Sequence, residues 1–97
     1  MNYTVVWSAE AEVTYTDIVS FLEEHWSEKQ VLRFVERTEE VIRIIESNPR
    51  MYPHFKDRDI HRAVVNKQTS LYYYMTGDLV VLLSFEDNRQ DPDKITY

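Results

Sequence analysis

The chain has no cysteine, a single glycine and three prolines among its 97 residues. Lack of cysteine excludes disulfides, thiolate catalysis and cysteine-ligated zinc, and it fits a reducing compartment. One glycine cannot build a Gly-rich loop around a phosphate, and no serine stands in a nucleophile elbow. His25, His54 and His61 lack a metal-ligand spacing, so neither a metal nor another cofactor is expected. No apolar run approaches the roughly 18–20 residues of a membrane helix. The opening Met1-Asn2-Tyr3-Thr4-Val5-Val6-Trp7 has neither the basic flank nor the long apolar stretch of a signal peptide. These absences predict a cytoplasmic protein with no membrane partner. The length predicts one domain over residues 1–97, large enough to remove roughly 60–70% of its unfolded surface from water.

Charge is abundant but unevenly placed. The net charge is −6, which disfavours unaided binding to a long polyanion. Residues 1–48 hold ten acidic side chains against Lys29, Arg33, Arg37 and Arg43, whereas residues 49–97 hold seven of each sign. Between 50 and 67 the balance turns positive, with Arg50, Lys56, Arg58, Arg62 and Lys67 against Asp57 and Asp59. Net charge is therefore a poor guide to the local field.

Hydrophobic spacing supplies the elements. Tyr3–Trp7 is β-branched and aromatic and predicts a strand. Ser8 is placed to cap a helix whose apolar stripe is Ala11, Tyr15, Ile18, Leu22 and Trp26. Ser27 and Gln30 open a second helix, striped by Val31, Val35, Thr38, Ile42 and Ile45 and widened by Phe34 and Val41. Pro49 ends it. With almost no linker the two helices form an antiparallel hairpin with a solvated acidic face. Residues 49–59 read as an irregular connection. Three strand-like runs follow, Ile60–Val65, Thr69–Met75 and Leu79–Phe85, joined by turns at Asn66-Lys67 and Thr76-Gly77-Asp78. Links this short join antiparallel strands. Leu79–Leu83 is apolar at every step, which predicts a central strand covered on both faces. The expected fold is α+β, ordered β-α-α-β-β-β, with the helical hairpin on a mainly antiparallel sheet.

Candidate chemistry concentrates on the basic stretch. Arg62 shares a strand face with Ile60 and Val64, so it needs either a carboxylate such as Asp59, Asp87 or Asp91, or an open groove. Arg89 follows the last strand. On antiparallel connectivity the two arginines can converge, and two guanidinium groups suit a phosphate. Arg89 can equally pair with Asp87, Asp91 or a helix end. Tyr72 and Tyr74 share one face, which can stack a base or simply pack.

In order, Val6-Trp7-Ser8-Ala9-Glu10-Ala11, Asn48-Pro49, Arg62, Tyr72-Tyr73-Tyr74 and Asp87-Asn88-Arg89-Gln90-Asp91-Pro92 resemble the RelE/ParE superfamily of toxins, often labelled plasmid stabilization proteins. The likeness covers nearly the full length. It implies a βααβββ toxin of a type II toxin–antitoxin module, bound by a cognate antitoxin. Two activities come with it: metal-independent cleavage of mRNA on the ribosome, or non-enzymatic inhibition of DNA gyrase. A relative that only binds its antitoxin is a third. By the same resemblance Arg62 and Arg89 are the catalytic arginines, and Lys56 and Arg58 lie in the nucleic-acid-binding stretch; His61 beside them is expected to contact nucleic acid as well. The chain departs from the nucleases in its thin lysine content and in having no clear match to a terminal histidine-tyrosine pair. Tyr97 is a late tyrosine, and His54 and His61 are acid/base candidates by chemistry alone. Arginine stays protonated, so the acid and the base are both unassigned.

Overall fold

The computed structural model describes residues 3–55 and 59–89. A short strand β1 (Thr4–Trp7) leads into helix α1 (Ala9–His25) and helix α2 (Glu28–Ser47). The meander β2 (His61–Val64), β3 (Thr69–Thr76) and β4 (Leu79–Asp87) follows. The predicted order is present, with boundaries shifted by one or two residues.

Local chemistry accounts for the punctuation. Ser8 Oγ accepts from the Ala11 amide at 3.0 Å and donates to the Leu83 carbonyl at 2.8 Å, so one hydroxyl caps α1 and ties its start to β4. Ser27 Oγ accepts from the Gln30 amide and restarts the helix at once. Asn66 Oδ1 accepts from the Gln68 and Thr69 amides and closes the β2–β3 turn. Gly77 takes φ +61° in the β3–β4 turn, a conformation that glycine adopts without cost.

The sheet runs β1-β4-β3-β2. β2, β3 and β4 pair antiparallel, while β1 lies parallel to β4 from Thr4↔Leu79 to Trp7↔Leu82. β4 is thus internal, as its continuous apolar run predicts. The cover, however, is one-sided. Val80 and Leu82 are fully buried beneath the helices, whereas Val81 and Leu83 are only half-buried on the other face. The core joins Ala11, Ile18 and Leu22 of α1 to Phe34, Val41 and Ile45 of α2 and to Leu71, Tyr73, Leu82 and Phe85 of the sheet. Tyr15 stacks on Phe34 at 5.7 Å between ring centroids and links the two helices. Trp26, expected to end the α1 stripe, lies just beyond the helix and remains 43% exposed.

A bulge in β4 decides what faces inward. Tyr73 pairs with Leu82 and Tyr72 with Ser84, so Leu83 is the extra residue. The bulge backbone is held from α1: Thr14 Oγ1 accepts from the Phe85 amide at 2.9 Å, beside the Ser8 contact to Leu83. Beyond it Phe85 and Asp87 turn to the helix side, while Ser84 and Glu86 stand on the outer face. Among the described residues, every buried side-chain nitrogen or oxygen has a hydrogen-bond partner. None of their helices is long and apolar enough to cross a membrane.

Candidate functional site

The outer face of the sheet carries one polar cluster. Alternation along β2 buries His61 and Ala63 and turns Arg62 and Val64 outward. Arg62 lies opposite Tyr72, and Ser70 lies opposite Glu86. Arg62 Nε donates to Ser70 Oγ at 3.0 Å, and the Tyr72 hydroxyl donates to Glu86 Oε1 at 3.2 Å. Phe55 meets the Tyr72 ring edge-on at 5.0 Å. A guanidinium, a phenol and a carboxylate therefore share a solvent-facing surface, with backbone pairing fixing their spacing. The arginine can dock an anion, and the carboxylate can accept a proton beside it.

A second cationic site lies on the helix side. The bulge sends Asp87 inward, where its side chain is fully buried. There it accepts from Thr69 Oγ1, from the Arg89 amide at 2.8 Å, and from Arg89 Nε and Nη2 at 3.1 and 2.7 Å. Burial pushes the Asp87 carboxyl up. The hydrogen bonds from Arg89 and Thr69, with the Arg89 charge, outweigh that effect and hold it below the ordinary carboxylate value. So anchored, Arg89 lies over the Trp26 ring, 5.7 Å from its centroid. Next to it a groove of about 520 Å³ runs between α2 and the β2–β3 turn, walled by Arg33, Arg37, Lys67 and Arg89 over Phe34 and Val65. Arg37 is held across that gap by donating from Nε to the Val65 carbonyl at 2.9 Å, and its Nη1 pairs with Glu40.

Arg62 and Arg89 consequently do not converge. Arg62 is on the outer face and Arg89 on the helix face, because the β4 bulge reverses which residues point inward before the chain reaches Arg89. Of the alternatives for Arg89, pairing with Asp87 is the one realised. Among the described residues Arg62 takes a serine rather than a carboxylate. His61, expected to contact nucleic acid, is only 4% exposed, since its strand parity is opposite to that of Arg62. Its Nδ1 lies 2.7 Å from the Tyr52 carbonyl, and its ring packs between His54 and Tyr73. Lys56 and Arg58, and the late Tyr97, lie outside the described residues. No group of three or more His, Cys, Asp or Glu side chains among the described residues could hold a metal ion.

Three members of the helix-side groove escaped sequence reasoning. Arg33 and Arg37 sit on a helix counted as acidic, and Lys67 counts in the sequence as a turn residue and a member of the basic stretch 50–67, not as a partner of α2. Glu86 escaped as well. The one available signal was the i, i+4 spacing of Arg33 and Arg37, which puts two cations on one face of α2.

No protein-family model matches the chain, and no curated protein matches it in sequence. The fold does match solved structures. The chromosomal ParDE toxin–antitoxin system from P. aeruginosa superposes with a TM-score of 0.74 at 10% identity, covering 88% of this chain and 95% of that one. A YoeB/ParE toxin from Agrobacterium tumefaciens gives 0.65 at 14% identity, covering 87% and 96%. The toxin–antitoxin complex RelBE2 from Mycobacterium tuberculosis gives 0.62 at 15% identity, covering 90% and 99%. Two helices on a four-stranded mixed sheet is the RelE/ParE-like toxin fold, and this chain has it over most of its length.

Proposed function

We propose that this chain is the toxin of a type II toxin–antitoxin pair, acting in the cytoplasm and held inactive by a cognate antitoxin. The support is its near-complete structural match to chains from such systems, several solved as toxin–antitoxin complexes. Within that class we favour ribosome-dependent cleavage of mRNA, with Arg62 holding the scissile phosphate. The observation that carries this choice is the outer-face cluster, where Arg62, Tyr72 and Glu86 share one surface. Glu86 takes the proton of the attacking 2′-hydroxyl, and the Tyr72 hydroxyl is the neighbouring donor for the leaving 5′-oxygen. The ribosome supplies the cationic surroundings for RNA that an acidic chain lacks.

Gyrase inhibition is the second reading. It is favoured by the commitment of Arg89 to Asp87, which leaves one recurring arginine rather than two at the outer face. Induced expression separates the two. New 5′ ends on translated messages, lost with Arg62→Ala and with Glu86→Gln, support cleavage. Growth arrest with intact messages and failed supercoiling in a purified gyrase assay supports the alternative. Expression that produces neither growth arrest nor a change in message ends would refute the toxin assignment.

A further inference from the structure

Arg62 and Glu86 carry opposite charges on one face of the sheet, yet neither belongs to an ion pair among the described residues. β3 separates them. Their backbones lie about 10 Å apart across the sheet, two strand spacings, and two residues apart along it. Extended arginine and glutamate side chains can close such a span. Each charge is instead held by a neutral hydroxyl of the intervening strand. Ser70 Oγ accepts from Arg62 Nε at 3.0 Å, and the Tyr72 hydroxyl donates to Glu86 Oε1 at 3.2 Å. Ser70 is the fixed member of its pair. It is only 7% exposed, and strand pairing holds it between Val64 and Glu86. Arg62 is exposed, on a long side chain with many rotamers.

We propose that Ser70 is a positioning residue of the outer-face cluster. By taking the Nε hydrogen it holds the Arg62 guanidinium on β3, short of Glu86. The Nη1 and Nη2 hydrogens, unpartnered among the described residues, remain for two oxygens of a phosphate. A direct ion pair would consume those hydrogens, together with a carboxylate oxygen that the reaction needs as its base. A neutral hydroxyl is the right chemistry for this position. It accepts one hydrogen bond without neutralising the arginine, whereas a carboxylate at residue 70 would compete with the phosphate for the whole guanidinium. The inference rests on the nuclease reading, in which Arg62 holds the scissile phosphate and Glu86 takes the proton.

The test combines single-turnover cleavage of a message on programmed ribosomes with nitrogen-15 NMR of the arginine side chains, both on the purified full chain. Ser70→Ala should cleave at least about tenfold more slowly at saturating ribosome concentration, with the half-saturating concentration little changed, and Ser70→Thr should stay within about threefold of the unaltered rate. Circular dichroism checks that both variants fold. The Arg62 Nε–H resonance reports the geometry without any cleavage. Glu86→Gln should move it little in the unaltered chain and clearly in the Ser70→Ala background, where the guanidinium is released to pair with Glu86. A Ser70→Ala chain that cleaves at the unaltered rate, a Thr variant no better than the Ala variant, or an Arg62 resonance that responds equally in both backgrounds would each overturn the proposal. If the unaltered chain cleaves no message, the nuclease reading fails, and the resonance comparison still decides whether Ser70 positions Arg62.

Discussion

Asp87→Ala is the substitution whose cost can be worked most closely from the structure. The carboxylate has no exposed surface and accepts four hydrogen bonds, three of them from Arg89 and one from Thr69. Arg89 keeps 20% of its side chain exposed, so its freed guanidinium can turn into water and escape much of the penalty. The Thr69 hydroxyl cannot, because Thr69 is 1% exposed, and a buried unpaired donor costs about 1–3 kcal/mol. Adding a modest loss of the charge-assisted bonds gives a destabilisation of about 2–4 kcal/mol. With a urea slope of about 1–2 kcal/mol per M for a small domain, the unfolding midpoint should fall by roughly 1–4 M. Combining Asp87→Ala with Thr69→Val removes the orphaned donor and should recover part of the loss. A double-mutant cycle with Arg89→Ala should show coupling of about 1 kcal/mol or more. The sign of the pH dependence is also fixed. The folded carboxyl titrates below its unfolded value of about 4, so its contribution is fully present above that pH and disappears as pH falls through the folded value. The Asp87→Asn variant should therefore lose less stability than the unaltered chain between about pH 5 and the acid limit. A loss below about 1 kcal/mol for Asp87→Ala, or strict additivity with Arg89→Ala, would refute the claim that this buried pair anchors the end of β4.

Tyr73→Phe removes the 2.6 Å bond from the phenol to the buried Pro49 carbonyl and should cost about 1–3 kcal/mol by denaturant unfolding. Burial, with a smaller contribution from Tyr52, raises the Tyr73 pKa well above 10. The neutral phenol thus supports the fold below pH 10, and that support declines as pH rises beyond it. A phenolate titration at 295 nm should show at least one fewer tyrosine titrating before alkaline unfolding than the unfolded chain shows. Gly77→Ala meets no atom within 4 Å, so its cost is that of the positive φ alone, about 1 kcal/mol, and Gly77→Asn should cost less. An Ala variant as stable as the parent would show that the turn had changed type.

The helices and strands were legible because each has an unambiguous hydrophobic period and a capping serine or turn residue at its boundary. Strand parity was legible as well. Placing Arg62 with Val64 already implied that His61 pointed the other way, and only the choice of outer face was missing. Two features lay beyond local pattern. The parallel neighbour of β4 comes from the far end of the chain, and nothing in either strand specifies its partner. The bulge at Leu83 leaves no mark in a run of apolar residues, yet it inverts every later side chain. Strict alternation would put Asp87 on the face of Leu79 and Val81, whereas it is sealed beneath the helices. The convergence expected of Arg62 and Arg89 failed at that one extra residue. The helix-side groove was hidden for a different reason: its cations come from α2, the β2–β3 turn and the end of β4, and averaging charge along the sequence buries them in an acidic total.

The pairing of β1 with β4 sets an order of assembly. The helical hairpin closes on contacts between neighbours in sequence, but the contact between Ser8 and Leu83 spans 75 positions. During synthesis the first strand therefore waits for the last, and β3, already made, waits beside it. A chain halted before residue 79 can still pair β2 with β3, but it lacks the strand that joins them to β1, so its Val5 has no sheet to enter. Such a fragment carries Arg62 and Tyr72 without the Glu86 that accepts from the Tyr72 hydroxyl. The outer-face cluster is thus completed only when β4 joins the sheet.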